Sequence, residues 1–229
     1  MIKGLSMALI LLLPVSGQIL SQSPVILYGT SKPATYELHA GDPDDPKSYA
    51  EVCFVMEGDL NRHCLQAGEG KDLYSDSPEI SFSPFPIGEK TQIGLFSATQ
   101  NSGGSGTALW LAAVVYNTSS DALENLLPNI VLSRQGDHKI WVDRAVSRFP
   151  LISIGEFTSV PDATVEGEHK YHLQTFCFDS ASGRYRPLDS YITRKAYNIF
   201  GTPAPISVLS MEMRTIKARA ERKAHAMPH

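Results

Sequence analysis

The densest cluster of side chains able to hold a metal or move a proton is Glu166-Gly-Glu168-His169-Lys-Tyr-His172. The chain here should be entering a strand. On a strand, His169 and His172, three apart, point to opposite faces and cannot close on one ion without a bulge. On a helix they could, but Gly167 and the following aromatics disfavour one. A polar loop entering a strand is therefore expected rather than a metal site. Glu156 is the most notable single acid, since it lies among Leu151, Ile152, Ile154 and Phe157. Carboxylate hydrolysis takes two acids about 5–9.5 Å apart, and no second acid is identifiable as its partner. Glu156 is expected to face solvent or to pair with Arg144 or Arg148.

Other motifs fall short of chemistry. No Gly-x-Ser-x-Gly elbow lies between a strand and a helix. Gln-Asn-Ser-Gly-Gly-Ser-Gly at 100–106 is glycine-rich, but it lacks a Lys-Ser/Thr ending and no helix pattern follows. Gly-Asp-Pro-Asp-Asp-Pro at 41–46 has three aspartates but not the spacing of a calcium loop. Asn117-Thr-Ser119 fits the N-glycosylation pattern. The expectation is therefore no catalytic residue, no cofactor and no metal.

Three thiols are present, at Cys53, Cys64 and Cys177. Between the first two, Gly58-Asp59 suits a two-residue II′ hairpin turn. Glu57 then faces Leu60, and counting outward sets Cys53 opposite Cys64. Opposed residues lie about 4.5–5.5 Å apart at Cα, within the roughly 4.4–6.8 Å that a disulfide accepts. Cys53 and Cys64 are expected to be bridged. Cys177, on a face with Tyr171, Leu173 and Thr175, is expected to be a free, buried, inert thiol. A reactive one would need a base or a helix N-terminus beside it.

The elements that carry these residues read mostly as strands: 25–28, 35–40, 49–56, 62–66, 79–82, 92–98, 108–116, 130–133, 138–142, 151–158, 170–178 and 185–193. Turn formers separate them, at the spacing of an antiparallel meander. Ala108–Tyr116 is apolar throughout, so it should be a central strand buried on both faces. Residues 68–90, with Pro78, Pro84 and Pro86, read as an irregular connecting segment with one short strand.

A weak internal repeat runs through the series. Val115–Leu126 aligns with Cys177–Leu188. Tyr116 matches Phe178, Asn117 matches Asp179, Ser120 matches Ser182, Leu123 matches Tyr185 and Leu126 matches Leu188. Each copy is a strand, a polar tip and a returning strand, opened by an Asn or Asp that hydrogen-bonds its own turn. Such hairpins could be neighbouring blades of a partial propeller or halves of a curved sheet. Their tips, Thr118 and Ser119 in one and Ala181 and Ser182 in the other, are the candidate contact surface.

After Pro205 the period changes. Ile206, Leu209, Met213, Ile216 and Ala220 fall on one face of a helix. Five Lys/Arg against two Asp/Glu give residues 206–229 a charge of +3, while residues 18–205 carry 14 against 22, or −8. Phosphate-backbone binding needs a basic face that this acidic body does not supply, so nucleic acid is not expected as a partner.

At the other end, Lys3, the apolar run Leu5–Leu13 and Val15-Ser16-Gly17 have the layout of a signal peptide. The run is shorter than the roughly 20 apolar residues that span a bilayer. Cleavage is expected after Gly17. No Cys sits at that point to take a lipid, and no second membrane-length apolar run follows. The expected organisation is a signal peptide (1–17), an N-terminal hairpin unit (18–67), the connecting segment (68–90), a β-meander with the two related hairpins (91–200), and a basic amphipathic helix and tail (201–229). This is a mainly β fold with a C-terminal helix.

Several phrases carry a resemblance: Gly103-Gly-Ser-Gly106, Glu124-Asn-Leu-Leu-Pro128, Lys139-Ile-Trp141, Gly167-Glu-His169, Phe178-Asp-Ser-Ala-Ser-Gly-Arg-Tyr185 and Ser190-Tyr-Ile-Thr193. Through them the stretch Gly103–Tyr197 resembles a family of uncharacterised exported proteins of Gram-negative bacteria. The resemblance implies export and a β fold, and it implies no activity. The expectation is a periplasmic or secreted, non-enzymatic protein that binds an envelope or extracellular protein or polymer. A hydrolase acting on an envelope polymer is the alternative.

Overall fold

The computed structural model describes residues 19–20, 24–42, 44, 48–68, 79–87, 89–101, 107–128, 130–132, 137–158, 168–198 and 208–226. The signal-peptide segment, residues 102–106 of the glycine-rich turn, Glu166, Gly167 and Ile206 lie outside them. Described strands fall into three antiparallel sheets in chain order, none closed on itself. The first contains β1 (Ile19–Leu20), β2 (Ala34–His39), β3 (Glu51–Met56) and β4 (Arg62–Gln66). The second contains β5 (Glu79–Pro86), β6 (Gln92–Asn101), β7 (Thr107–Asn117), β8 (Ala122–Asn125) and β9 (Ile130–Leu132). The third contains β10 (Asp137–Trp141), β11 (Leu151–Phe157), β12 (Tyr171–Asp179) and β13 (Arg184–Ile192), and is followed by helix α1 (Val208–Ala226).

Side-chain alternation turns these sheets into a stack. On β7, Trp110, Ala112, Val114 and Tyr116 enter a core shared with Val52, Phe54 and Met56 of the first sheet. Leu109, Leu111, Ala113 and Val115 point the other way, into a core shared with Ile152, Ile154 and Phe176 of the third. The continuous apolar run of β7 thus follows from its place between two cores. β8 and β9 both pair with β7, at 114–117 and 109–111, so together they form one interrupted outer strand. Three four-strand meanders therefore face one another as neighbouring blades do.

The far side of the third sheet is sealed by α1. Leu209, Ile216 and Ala220 are buried against Trp141, Leu151, Tyr171 and Leu173, and Met213 is half-buried there. The helix is also held by polar contacts. Arg219 makes a two-pronged bond to the buried carboxylate of Asp189, at 2.5 and 3.0 Å, and lies 4.4 Å over the Tyr191 ring. The hydroxyls of Tyr191 and Tyr197 donate to Glu212. Beneath the helix, Trp141 Nε1 donates to Ser153 Oγ at 2.9 Å, and Ser153 lies 3.0 Å from Thr175, so the buried hydroxyls are satisfied. No described helix is long and apolar enough to cross a membrane.

Three sequence expectations are corrected. The segment 68–90 is less irregular than its prolines suggest, because Glu79–Pro86 forms an eight-residue strand. β5 is the edge of its sheet, where a missing N–H is tolerated. Residues 25–28 form no strand of their own. Val25 bridges to Ala34 and Leu27 to Gln92, so the segment stitches the first sheet to the second. In the β3–β4 hairpin the turn sits one residue earlier than expected. Asp59 N donates to Met56 O at 3.0 Å and Gly58 has φ +78°, which places Gly58 third in a turn over 56–59. Asp59 Oδ1 then accepts from Asn61 N at 2.9 Å and lengthens the loop. The register is unaffected: Cys53 stands opposite Cys64, their Cα atoms are 4.0 Å apart, and the sulfurs are bonded.

Cys177 is the one free thiol, and it is half-buried rather than fully buried. Thiol labelling of native, non-reduced protein should therefore find one slowly reacting cysteine, and mass spectrometry should assign it to position 177. Replacing Cys53 and Cys64 by Ala should cost about 2–3 kcal/mol in denaturant unfolding, the low end for a native bridge because the loop is short.

Candidate functional site

The two aligned hairpins have the same pairing beside their tips. Tyr116 pairs with Leu123 and Asn117 with Ala122, just as Phe178 pairs with Tyr185 and Asp179 with Arg184. Both tips close in the same way. Asn117 Oδ1 accepts from Ser119 N at 2.9 Å, and Asp179 Oδ1 accepts from Ala181 N at 3.1 Å. Each tip ends on a positive φ, Asp121 at 53° and Gly183 at 67°. Asn117 Nδ2 donates to Glu124 Oε2 at 3.0 Å, while in the second copy Asp179 pairs with Arg186 at 3.1 Å. The Asp179 carboxyl is held below the usual carboxylate range, chiefly by the Ser182 hydroxyl and the Ala181 N–H. Its contribution to the tip is therefore full above the ordinary aspartate value and is lost as the pH falls through its lowered one.

The hairpins belong to adjacent sheets, and the base of the first meets the second just past its tip. Tyr185 N donates to Leu126 O at 2.9 Å, Arg184 donates to Asn125 O at 3.1 Å, and Arg184 also pairs with Glu124. Beside this seam lies an open cleft of about 770 Å³. A third wall comes from the turn at 143–149, held by Asp143 O accepting from the N–H groups of Val146 and Ser147. It sets Phe149 against Phe178, with ring centroids 4.2 Å apart, and edge-on to the exposed Tyr28 at 5.9 Å. Asn117, Thr118, Glu124, Ser147, Arg148 and Ser180 supply polar lining.

Of the candidate tip residues, Thr118 lines the cleft. Ser119 and Ala181 stand exposed, and Ser182 is occupied within its turn, donating to Asp179 at 2.7 Å and accepting from Arg186 at 3.1 Å. Asn117 of the glycosylation pattern is engaged at both ends of its amide. Cys177 lies on the cleft wall, where burial pushes its thiol up against a smaller opposing effect of Ser147, so it carries little nucleophilic thiolate at neutral pH.

The His cluster does not converge. His169 is buried and pairs through its backbone with Tyr197, while His172 Nε2 lies 2.7 Å from Ser190 Oγ. Glu156 stands opposite His172, half-exposed and outside the cleft lining. Sequence reasoning missed Tyr28, Arg148 and Phe149. The sequence marks Tyr28 only as the end of a strand and Arg148 only as a partner for Glu156, and it is the stacking of the sheets that brings all three to the hairpins. None of the family models, curated proteins or solved structures compared with the chain matches it.

Proposed function

We propose that this is an exported, non-enzymatic binding protein of the cell envelope, and that the cleft between the paired hairpins receives a glycan segment of an envelope polymer. The observation that carries the reading is the composition of the cleft. Aromatic rings at Tyr28, Phe149 and Phe178 offer flat apolar faces, and amide, hydroxyl and guanidinium groups surround them. That mixture suits a ring with an apolar face and a polar rim, and the volume falls in the roughly 300–1,000 Å³ range of ligand pockets. The signal-peptide layout of residues 1–17 and the Cys53–Cys64 bridge support export to an oxidising compartment.

The hydrolase alternative needs two carboxylates flanking one bond. Among the described residues the cleft is lined by one, Glu124, and it is held by Arg184 and Asn117. Co-sedimentation with purified peptidoglycan tests the proposal. Wild type should pellet with the polymer, and Phe149→Ala should lose at least about 1.5 kcal/mol of affinity, roughly tenfold, as an aromatic anchor does. Release of new reducing ends by wild type would favour the hydrolase instead. No retention and no release would refute both.

A further inference from the structure

We propose that the Cys53–Cys64 pair is one form of a redox-dependent metal site, and that on reduction Cys53, Cys64, His39 and Glu51 bind a zinc ion on the outer face of the first sheet. Alternation places the four side chains on the same face. His39 stands opposite Glu51 across β2 and β3, and Cys53, two residues from Glu51, stands opposite Cys64 across β3 and β4. Ligand atoms of His39, Glu51 and Cys53 lie within 4.8 Å of one another, and the Cys64 sulfur is bonded to that of Cys53. Two thiolates, an imidazole and a carboxylate form a set that zinc takes in tetrahedral geometry, at about 2.0–2.3 Å.

In the oxidised protein Cys53 is no ligand, because its sulfur is held in the bridge. A dithiol reductant changes this. Its thiolate attacks the exposed Cys64 sulfur, the S–S bond breaks, and the reductant leaves as its own disulfide with two electrons transferred. Two thiols remain on the protein. Zinc binding then releases their two protons to solvent, so the site fills more readily as the pH rises. Two features of the surroundings suit the change. Cys53 is buried, which limits water around the sulfur, while His39 and Glu51 are half-exposed and can admit an ion. Arg62 contacts the His39 ring in the oxidised form and also pairs with Glu37 at 3.2 Å, so Glu37 can keep the guanidinium when the metal takes His39. The hairpin is clipped either by a covalent bond or by a metal.

Cobalt titration tests this on the full chain in a Cys177→Ser background, which leaves Cys53 and Cys64 as the only thiols. The bridge is reduced with a phosphine under nitrogen, and far-UV circular dichroism confirms the fold. One equivalent of Co²⁺ should give thiolate-to-cobalt charge transfer and tetrahedral d–d bands that Zn²⁺ bleaches, and the oxidised protein should give neither. His39→Ala and Glu51→Gln should each weaken binding by at least the roughly 10–100-fold typical of outer-shell partners alone. Arg62→Ala, which removes no ligand, should tighten it. A folded, reduced protein without these bands would overturn the proposal. So would His39→Ala and Glu51→Gln variants that bind as tightly as the parent.

Discussion

Replacing Gly29 by Ala should destabilise the protein by on the order of 4 kcal/mol, the tail that single substitutions reach only through a specific mechanism. Two mechanisms act at this one position. Gly29 has φ +96°, where an L side chain is strained. A Cβ there would also sit 1.8 Å from the carbonyl oxygen of Tyr116, which is backbone and cannot rotate aside. The close approach exists because this segment is bonded to two strands of the second sheet: Tyr116 N donates to Tyr28 O at 2.9 Å and Tyr28 N donates to Gln92 O at 2.8 Å. Making room breaks that stitch, and each such bond contributes about 1 kcal/mol net. Urea unfolding of wild type and Gly29→Ala, followed by far-UV circular dichroism, measures the loss. Because Gly29 also borders the cleft, the variant should lose ligand affinity along with stability. An Ala variant within about 1 kcal/mol of wild type would show that the stitch is dispensable.

Trp110→Ala should cost about 3–5 kcal/mol, the range for deleting a large buried aromatic. The side chain is 1% exposed at the centre of β7 and packs edge-on to Phe96 at 5.7 Å. Its neighbours belong to two sheets, so the hole cannot close without moving one sheet towards the other. Phe178→Ala, by contrast, should fall below that range, because its ring is half-buried beside the cleft. Thermal unfolding of both variants gives the comparison, and equal losses would contradict the assigned depths.

Local chemistry explains which parts were legible. Most strands carry alternation or an apolar run, and Leu209, Ile216 and Ala220 mark the helix face, so pattern places them, whereas it misses β1 and the second half of β5 and suggests a strand over 25–28. The cysteine pairing was legible because hairpin register depends on counting outward from a turn. It survived an error in the turn itself, since moving the turn by one residue lengthened the loop without shifting the pairs. The two hairpins were legible through their turn openers, Asn117 and Asp179, and share a register to the residue. Their surroundings were not: Tyr116 packs in the core facing the first sheet, whereas Phe178 packs in the core between the second and third. The cleft was invisible because it arises where separate layers meet. Phe149 and Tyr28 are far apart in sequence, so nothing local marks them as a pair.

The order of the layers follows the order of the chain, and this bears on how the molecule can be made. A chain emerging from its N-terminus delivers the first sheet, then the second, then the third, and then α1. Each arriving layer finds its docking face already assembled. The outer face of the third sheet, with Leu151, Tyr171 and Leu173, stays bare until α1 covers it. A chain without α1 would keep its three sheets but carry one adhesive side. The helix therefore serves as a seal on the third sheet, and its loss should appear first as clumping of otherwise folded molecules.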